Sequence, residues 1–199
     1  MEISALVLHW GPYLLAFVIV VTIWMASEVV GGVIVPNRRR SGRTVQRQKR
    51  RLNLIAWLNW EAVTLASVLL AVFEVSVLPS WAYILGVGLV LLGVAVRQWA
   101  IAVLGRYFSN VIGIQKGQSV VQSGPYRLIR HPSYTGLLLI QLGIAFSFQS
   151  GLAVLVAVAA FGLAYGHRMI SEERFLEREL GDDYANYTKS TKRLIPFLI

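Results

Sequence analysis

Hydrophobic positions in this chain fall in long unbroken blocks, not in the alternating or three-to-four stripes of soluble strands and helices. The first block runs from Tyr13 to Val35 with Glu28 as its sole charge and stops at Pro36-Asn37. Leu52 to Phe73 follows with Glu61 as its one charge, then an uncharged turn from Ser76 to Ser80 that contains Pro79, then Trp81 to Leu104, which carries Arg97. Two further apolar runs, Pro132 to Gln149 and Gly151 to Gly166, are joined at Ser150. A hydrocarbon layer of about 30 Å takes roughly 20 helical residues to cross. The pattern therefore predicts an all-α fold, a polytopic integral membrane protein with about five transmembrane helices, the last two a hairpin of short or tilted helices.

The polar remainder is equally organised. Gly105 to His131 has Gly and Pro punctuation and is far longer than the roughly 4–6 residues of an ordinary connection, which marks it as a functional segment. Ser171 to Leu180 sets Phe175 and Leu176 on a different face from Glu172, Glu173, Glu177 and Glu179, predicting a C-terminal amphipathic helix stopped by Gly181. Met1 to Trp10 has no basic region, and the apolar run after it is too long for a signal peptide, so the first block is read as a retained helix. With no internal repeat or low-complexity segment, residues 1–199 read as a single membrane domain, with three spans in 1–104 and the loop, hairpin and tail in 105–199.

Composition agrees with this pattern. The chain is 56% hydrophobic with a mean hydropathy of +0.60, and 15% of its residues are charged, against about 25% in soluble domains. A net charge of +9 would raise nucleic-acid binding for a soluble protein, but position explains it here. Eight basic residues crowd Pro36 to Arg51, Arg97 stands low in its block, four lie from Arg106 to Arg130 and six from Arg168 onward. Threading the spans with the N-terminus outside puts them all on the inner side, as the positive-inside tendency requires. The basic loop then reads as a topology signal that also attracts anionic lipid headgroups. Cysteine is absent, which removes disulfides, thiolate nucleophiles and thiolate metal sites.

Two clusters could carry chemistry. In Gly124-Pro125-Tyr126-Arg127-Leu128-Ile129-Arg130-His131-Pro132-Ser133-Tyr134, Pro132 suits a first helical position, which sets His131 at the N-cap beside the free N–H groups of a helix start. The plainer reading is an interfacial cap with Arg and Tyr anchors. In Arg168-Met169-Ile170-Ser171-Glu172-Glu173, Arg168 and Glu172 share a helix face. An intrahelical ion pair explains that spacing, and so does a bound zwitterion, or two ligands of opposite charge.

The run Gly124 to Gly136 (GPYRLIRHPSYTG), then Arg168-x-x-x-Glu172-Glu173, then Leu180-Gly181-Asp182-Asp183-Tyr184-x-x-Tyr187, resembles the isoprenylcysteine carboxyl methyltransferase family over about residues 105–197. The RHPxYxG element alone is shared with phospholipid methyltransferases and more loosely with sterol reductases. The resemblance implies a membrane enzyme binding S-adenosyl-L-methionine in a cytosolic pocket made by the last two spans, the loop before them and the C-terminal tail. No Rossmann fold is expected, and Gly86-Val87-Gly88, inside a span, reads as a close helix contact. Carried over by position, the cofactor contacts fall on Gln118, Ser119, Val120, Val121, Tyr126, His131, Pro132, Ser133, Tyr134 and Glu172, and the substrate-carboxylate ligand, the catalytic candidate, falls on Arg168. Backbone groups near Val120 and Val121 suit an adenine edge, and Tyr126 and Tyr134 suit adenosine or a sulfonium cation. Glu172 and His131 suit the amino-acid end or the ribose. Eukaryotic members carry His where this chain has Gln118, which can replace a neutral imidazole, and a polar side chain where it has Gly113.

The implied reaction is methylation of a lipophilic acceptor, a carboxylate being favoured by Arg168, with lipophilic or lipidated substrates and membrane lipids as partners and no nucleic acid. Phosphatidylethanolamine-type N-methylation, an NADPH-dependent sterol-type reductase and a non-enzymatic membrane protein are the alternatives. Glu28 and Glu61 are read as structural acids that the resemblance does not reach, although intramembrane acids are functional by default. His9 and His167 are read as interfacial and lack metal-ligand company. Tyr184 and Tyr187 are read as tail-packing residues.

Overall fold

Each apolar block after the first becomes a helix whose ends fall at recognisable stop signals. The computed structural model describes residues 18–19, 21–29, 43–45, 50–109, 112–115 and 117–196. Most of the first apolar block, most of the basic loop 36–51, and His9 lie outside these residues, although a helical stretch at 21–28 belongs to that block. Then come α1 (Arg50–Val72), α2 (Trp81–Leu104), α3 (Pro132–Ser147), α4 (Gly151–Leu180) and α5 (Asp182–Ser190). Pro132 opens α3 behind His131, whose carbonyl accepts from the Tyr134 and Thr135 amides at 2.9 and 3.0 Å. Ser150 caps α4 by accepting from the Ala153 amide. Gly181 ends α4 at φ 58°, a left-handed conformation that glycine adopts without a Cβ clash.

Two expectations change. The span Gly151 to Gly166 and the amphipathic helix Ser171 to Leu180 are one continuous helix of 30 residues, because nothing between His167 and Ile170 breaks a helix. A short antiparallel pair, β1 (Arg43–Val45) with β2 (Gly113–Gln115), also interrupts an otherwise all-α fold. β2 lies in the polar segment between α2 and α3, where no helical period competes with strand pairing.

Two helical stretches, Trp81–Tyr107 and Gly151–Leu180, are long and apolar enough to cross a bilayer, while Leu58–Val72 and Pro132–Ser147 are shorter apolar helices. Their outward faces carry bare hydrophobic side chains such as Ile84 (73% exposed) and Leu163 (83%), which suits lipid and not water.

Glycine lets α2 and α3 meet. A Cβ on Gly93 would lie 2.6 Å from the Gly136 carbonyl oxygen, and Gly86 and Gly143 oppose each other in the same way seven residues along. Gly88, by contrast, faces open space. In a bilayer, where lipid tails are as apolar as leucine, such close approach is a main source of helix association. A buried polar chain adds direction: Asn59 Nδ2 donates to Gln141 Oε1 at 3.0 Å, and Gln141 Nε2 to the Ala157 carbonyl at 3.0 Å, joining α1, α3 and α4.

The α1–α2 and α3–α4 turns are bonded to each other. Leu78 N donates to the Gln149 carbonyl at 2.7 Å, Gly151 N to the Ser76 carbonyl at 2.9 Å and Ser150 Oγ to the Val75 carbonyl at 2.8 Å. Both turns therefore sit at one end of the bundle. The start of α3, the polar part of α4 and the tail gather at the other.

Candidate active site

At that second end lies a cavity of about 710 Å³, within the roughly 300–1,000 Å³ of small-molecule sites. The polar segment after α2 contributes Gln118, Ser119, Val120 and Val121 to its wall. Tyr126 reaches it from a single 3-10 turn, Gly124–Arg127, and His131, Ser133 and Tyr134 from the start of α3. Arg168 and Glu172 come from α4. The fold thus brings together every residue singled out in the sequence except Pro132, which is fully buried as the first residue of α3 and does not line the cavity. Gly113 lines it without a side chain, and Glu61 also lies on the wall.

Tyr134 organises the charged part. Arg168 Nε donates to the Tyr134 hydroxyl at 2.7 Å, and that hydroxyl donates to Glu172 Oε2 at 2.8 Å. The spacing of Arg168 and Glu172 suggested a direct pair; the tertiary structure inserts a phenol from α3 between them. Tyr134 is itself held by packing against Tyr165, Leu137 and Met169.

Glu173, quoted in the sequence motif without a role of its own, sits in a second cluster next door. Its carboxylate accepts from Arg130 Nε at 2.9 Å, His131 Nε2 at 3.2 Å and Arg193 Nη2 at 2.9 Å. Glu173 lies beyond the apolar part of α4. Burial works against its charge, but hydrogen bonds from His131, Arg193 and Arg130 outweigh that and hold the carboxyl down at about 2. Its stabilising effect is therefore complete above the ordinary carboxylate range near 4.5 and is lost only as pH falls towards about 2. The tail is bound by backbone as well: Arg130 N donates to the Lys192 carbonyl at 2.7 Å and His131 N to the Arg193 carbonyl at 3.0 Å. Tyr187 donates to the Tyr126 carbonyl at 2.7 Å, consistent with the tail-packing role expected of it.

A third group surrounds Glu28, read in the sequence as a structural acid. Arg97 is buried in α2, pairs with Glu28 through two nitrogens, and donates from Nη1 to Ser133 Oγ at 2.8 Å. The signal for this pair was in the sequence: Glu28 and Arg97 are the lone charges of two apolar blocks. Beside them Trp24 and Trp60 lie 4.5 Å apart between ring centroids, and Trp60 Nε1 donates to the Tyr165 hydroxyl at 2.8 Å, completing an aromatic wall.

A helical bundle with bare apolar flanks and, at one end, a cavity of small-molecule size walled by aromatic and paired charged side chains is the architecture of a membrane protein. More particularly, residues 84–178 match the profile of the isoprenylcysteine carboxyl methyltransferase family. It is 26% identical over 153 residues to Protein-S-isoprenylcysteine O-methyltransferase B of Arabidopsis thaliana, covering 73% of this chain and 78% of the relative. It is also 34% identical over 100 residues to the cobalt-zinc-cadmium resistance protein CzcN of Cupriavidus metallidurans, covering 50% of this chain and 46% of that one. Among solved structures, the eukaryotic intramembrane Ras methyltransferase, an isoprenylcysteine carboxyl methyltransferase, superposes with a TM-score of 0.59 at 22% identity, over 77% of this chain and 55% of that chain. At that identity the likeness speaks to the fold alone.

Proposed function

We propose that this protein is an S-adenosylmethionine-dependent methyltransferase that esterifies the carboxylate of a lipophilic acceptor, most directly an isoprenylcysteine-like one. The observation that carries this reading is Arg168 and Glu172 held on the single hydroxyl of Tyr134 inside the cavity. That arrangement offers a fixed cation for an acceptor carboxylate and, within one turn of helix, an anion for a cationic cofactor.

The wall fits the cofactor chemically. The faces of Tyr126 and Tyr134 suit a sulfonium cation, Glu172 suits an ammonium group, and the backbone around Val120 and Val121 suits an adenine edge. Gln118, Ser119, His131 and Ser133 complete the polar lining, with Pro132 setting the start of α3 that carries His131 and Ser133. When bound, S-adenosylmethionine supplies an electrophilic methyl group on a sulfonium.

The protein's own part is placement. A carboxylate is ionised at neutral pH, so no general base is required. Arg168 is well suited to hold it in two-point fashion, because the bond from its Nε to Tyr134 fixes the plane of the guanidinium. S-adenosylmethionine, held by these residues, would supply the methyl carbon to a carboxylate oxygen, with the carbon–sulfur electron pair leaving on sulfur. No proton moves. Apolar and aromatic walls exclude water and align the reacting groups, which is where the rate enhancement arises.

In the membrane, this reading has five spans, the N-terminus outside, and the cavity and C-terminus in the cytosol. The acceptor's tail would reach the cavity from the bilayer. The functional test is purified protein with methyl-labelled S-adenosylmethionine and three acceptors: a prenylcysteine analogue, phosphatidylethanolamine and a free fatty acid. Base-labile label on the prenylcysteine analogue is expected; base-stable label on phosphatidylethanolamine alone would replace this reading with amine methylation.

A further inference from the structure

Glu172 and Glu173 are neighbours in sequence but face different partners, and the second carboxylate touches none of the groups assigned above except His131. An ionised carboxylate can only accept hydrogen bonds, so the nitrogen facing it, Nε2 at 3.2 Å, must be the one that carries hydrogen. A neutral imidazole held in this way has its lone pair on Nδ1. His131 is 4% exposed and lines the cavity, and among the described residues no hydrogen-bond partner occupies Nδ1. The ring is held by its burial and by packing against the Tyr134 ring, with centroids 5.4 Å apart.

We infer that Glu173 is a positioning residue for the cofactor pocket: it holds the His131 proton on Nε2 and thereby presents Nδ1 to the cavity as a hydrogen-bond acceptor. This rests on the reading of the cavity as an S-adenosylmethionine site. It also narrows what His131 recognises there. A lone pair accepts from an ammonium or a hydroxyl, so Nδ1 selects the α-ammonium or a ribose hydroxyl of the cofactor and rejects its carboxylate. A bare helix start, by contrast, favours an anion. Arg130 and Arg193 balance the Glu173 charge, and Arg193 does so from the tail, at 45% exposure, without touching the imidazole.

The chain has three histidines, so the variant His9→Gln/His167→Gln leaves His131 as the only imidazole. In that background, nitrogen-15 NMR of the ring at about pH 8 reads the tautomer directly. The expected result is an Nε2–H tautomer in the otherwise unaltered chain and a mixture in Glu173→Gln. With it, KM for S-adenosylmethionine should rise about tenfold while kcat changes by less than about threefold, the effect of one weakened hydrogen bond to the bound cofactor. Arg193→Gln loosens the tail and spares the ring, so it should leave the tautomer unchanged and move KM by less than about threefold. An unaltered tautomer and KM in Glu173→Gln would overturn the inference. So would equal KM losses in Glu173→Gln and Arg193→Gln without a tautomer change, which would reduce Glu173 to a tail clasp. If the unaltered protein fails to bind S-adenosylmethionine, the functional reading fails and Nδ1 loses its ligand, while the tautomer ratio still reports whether Glu173 sets the ring.

Discussion

Arg97 and Glu28, 69 positions apart, form a two-point ion pair in the cavity wall, with Arg97 Nη2 donating to Glu28 Oε2 at 2.6 Å and Nε donating to Oε1. The arginine side chain is 7% exposed and the glutamate 23%. Removing one partner strands a charge in an apolar setting. Glu28→Ala is therefore expected to lower stability towards the low end of roughly 3–5 kcal/mol, the partial opening of Glu28 softening the penalty. Replacing both residues by Leu and Met should recover most of the loss. Thermal unfolding in detergent checks this, and a double variant no more stable than Glu28→Ala would show that the pair matters through something other than charge balance.

Arg168 and Tyr134 should separate binding from chemistry. Arg168→Lys keeps the charge but loses the planar fork, so methyl transfer should fall by about 100-fold while S-adenosylmethionine binding changes little. Tyr134→Phe removes the hydroxyl shared by Arg168 and Glu172, and a loss of about 10–100-fold in kcat/KM is expected from one hydrogen bond to charged partners. Calorimetric cofactor binding measured beside turnover gives the comparison. Equal losses of binding and turnover in Arg168→Lys would rule out its acceptor-binding role.

The α2–α3 contact predicts a contrast between two glycines of one helix. Gly93→Ala forces a methyl group to within 2.6 Å of the Gly136 carbonyl oxygen, so the helices must separate, at about 1–3 kcal/mol. Gly88→Ala meets nothing within 4 Å and should be neutral or stabilising by up to about 1 kcal/mol, from helix propensity alone. Melting temperatures of the two variants in one detergent decide the matter; similar destabilisation in both would contradict the close contact.

Topology can be read chemically because the chain has no cysteine of its own. Single cysteines at Ser76 and Gln149, in the two bonded turns, should react with an impermeant maleimide added outside intact cells. One at Asn186, in the tail, should react only after permeabilisation. The reverse pattern would invert the proposed orientation.

What the sequence determined by itself is local: which stretches prefer lipid to water, and where the backbone must stop. Long apolar blocks, Pro79, Pro132 and Gly181 therefore placed the helices, so that Trp81 to Leu104 was legible to the residue. The combination of GPYRLIRHPSYTG with Arg168 and Glu172 was legible as a family pattern, and the resemblance named ten of the residues that line the cavity. Tertiary structure decided the pairings. Glu28 meets Arg97 across 69 positions, His131 meets Glu173 across 42 and Tyr134 meets Arg168 across 34, and no period or spacing encodes such contacts. They depend on which helix faces turn towards one another. Here that is set by small residues that let α2 and α3 close and by the two bonded turns that hold the hairpins level. The same packing buried Pro132 beneath the site that its neighbours line, and turned two adjacent glutamates towards separate tasks.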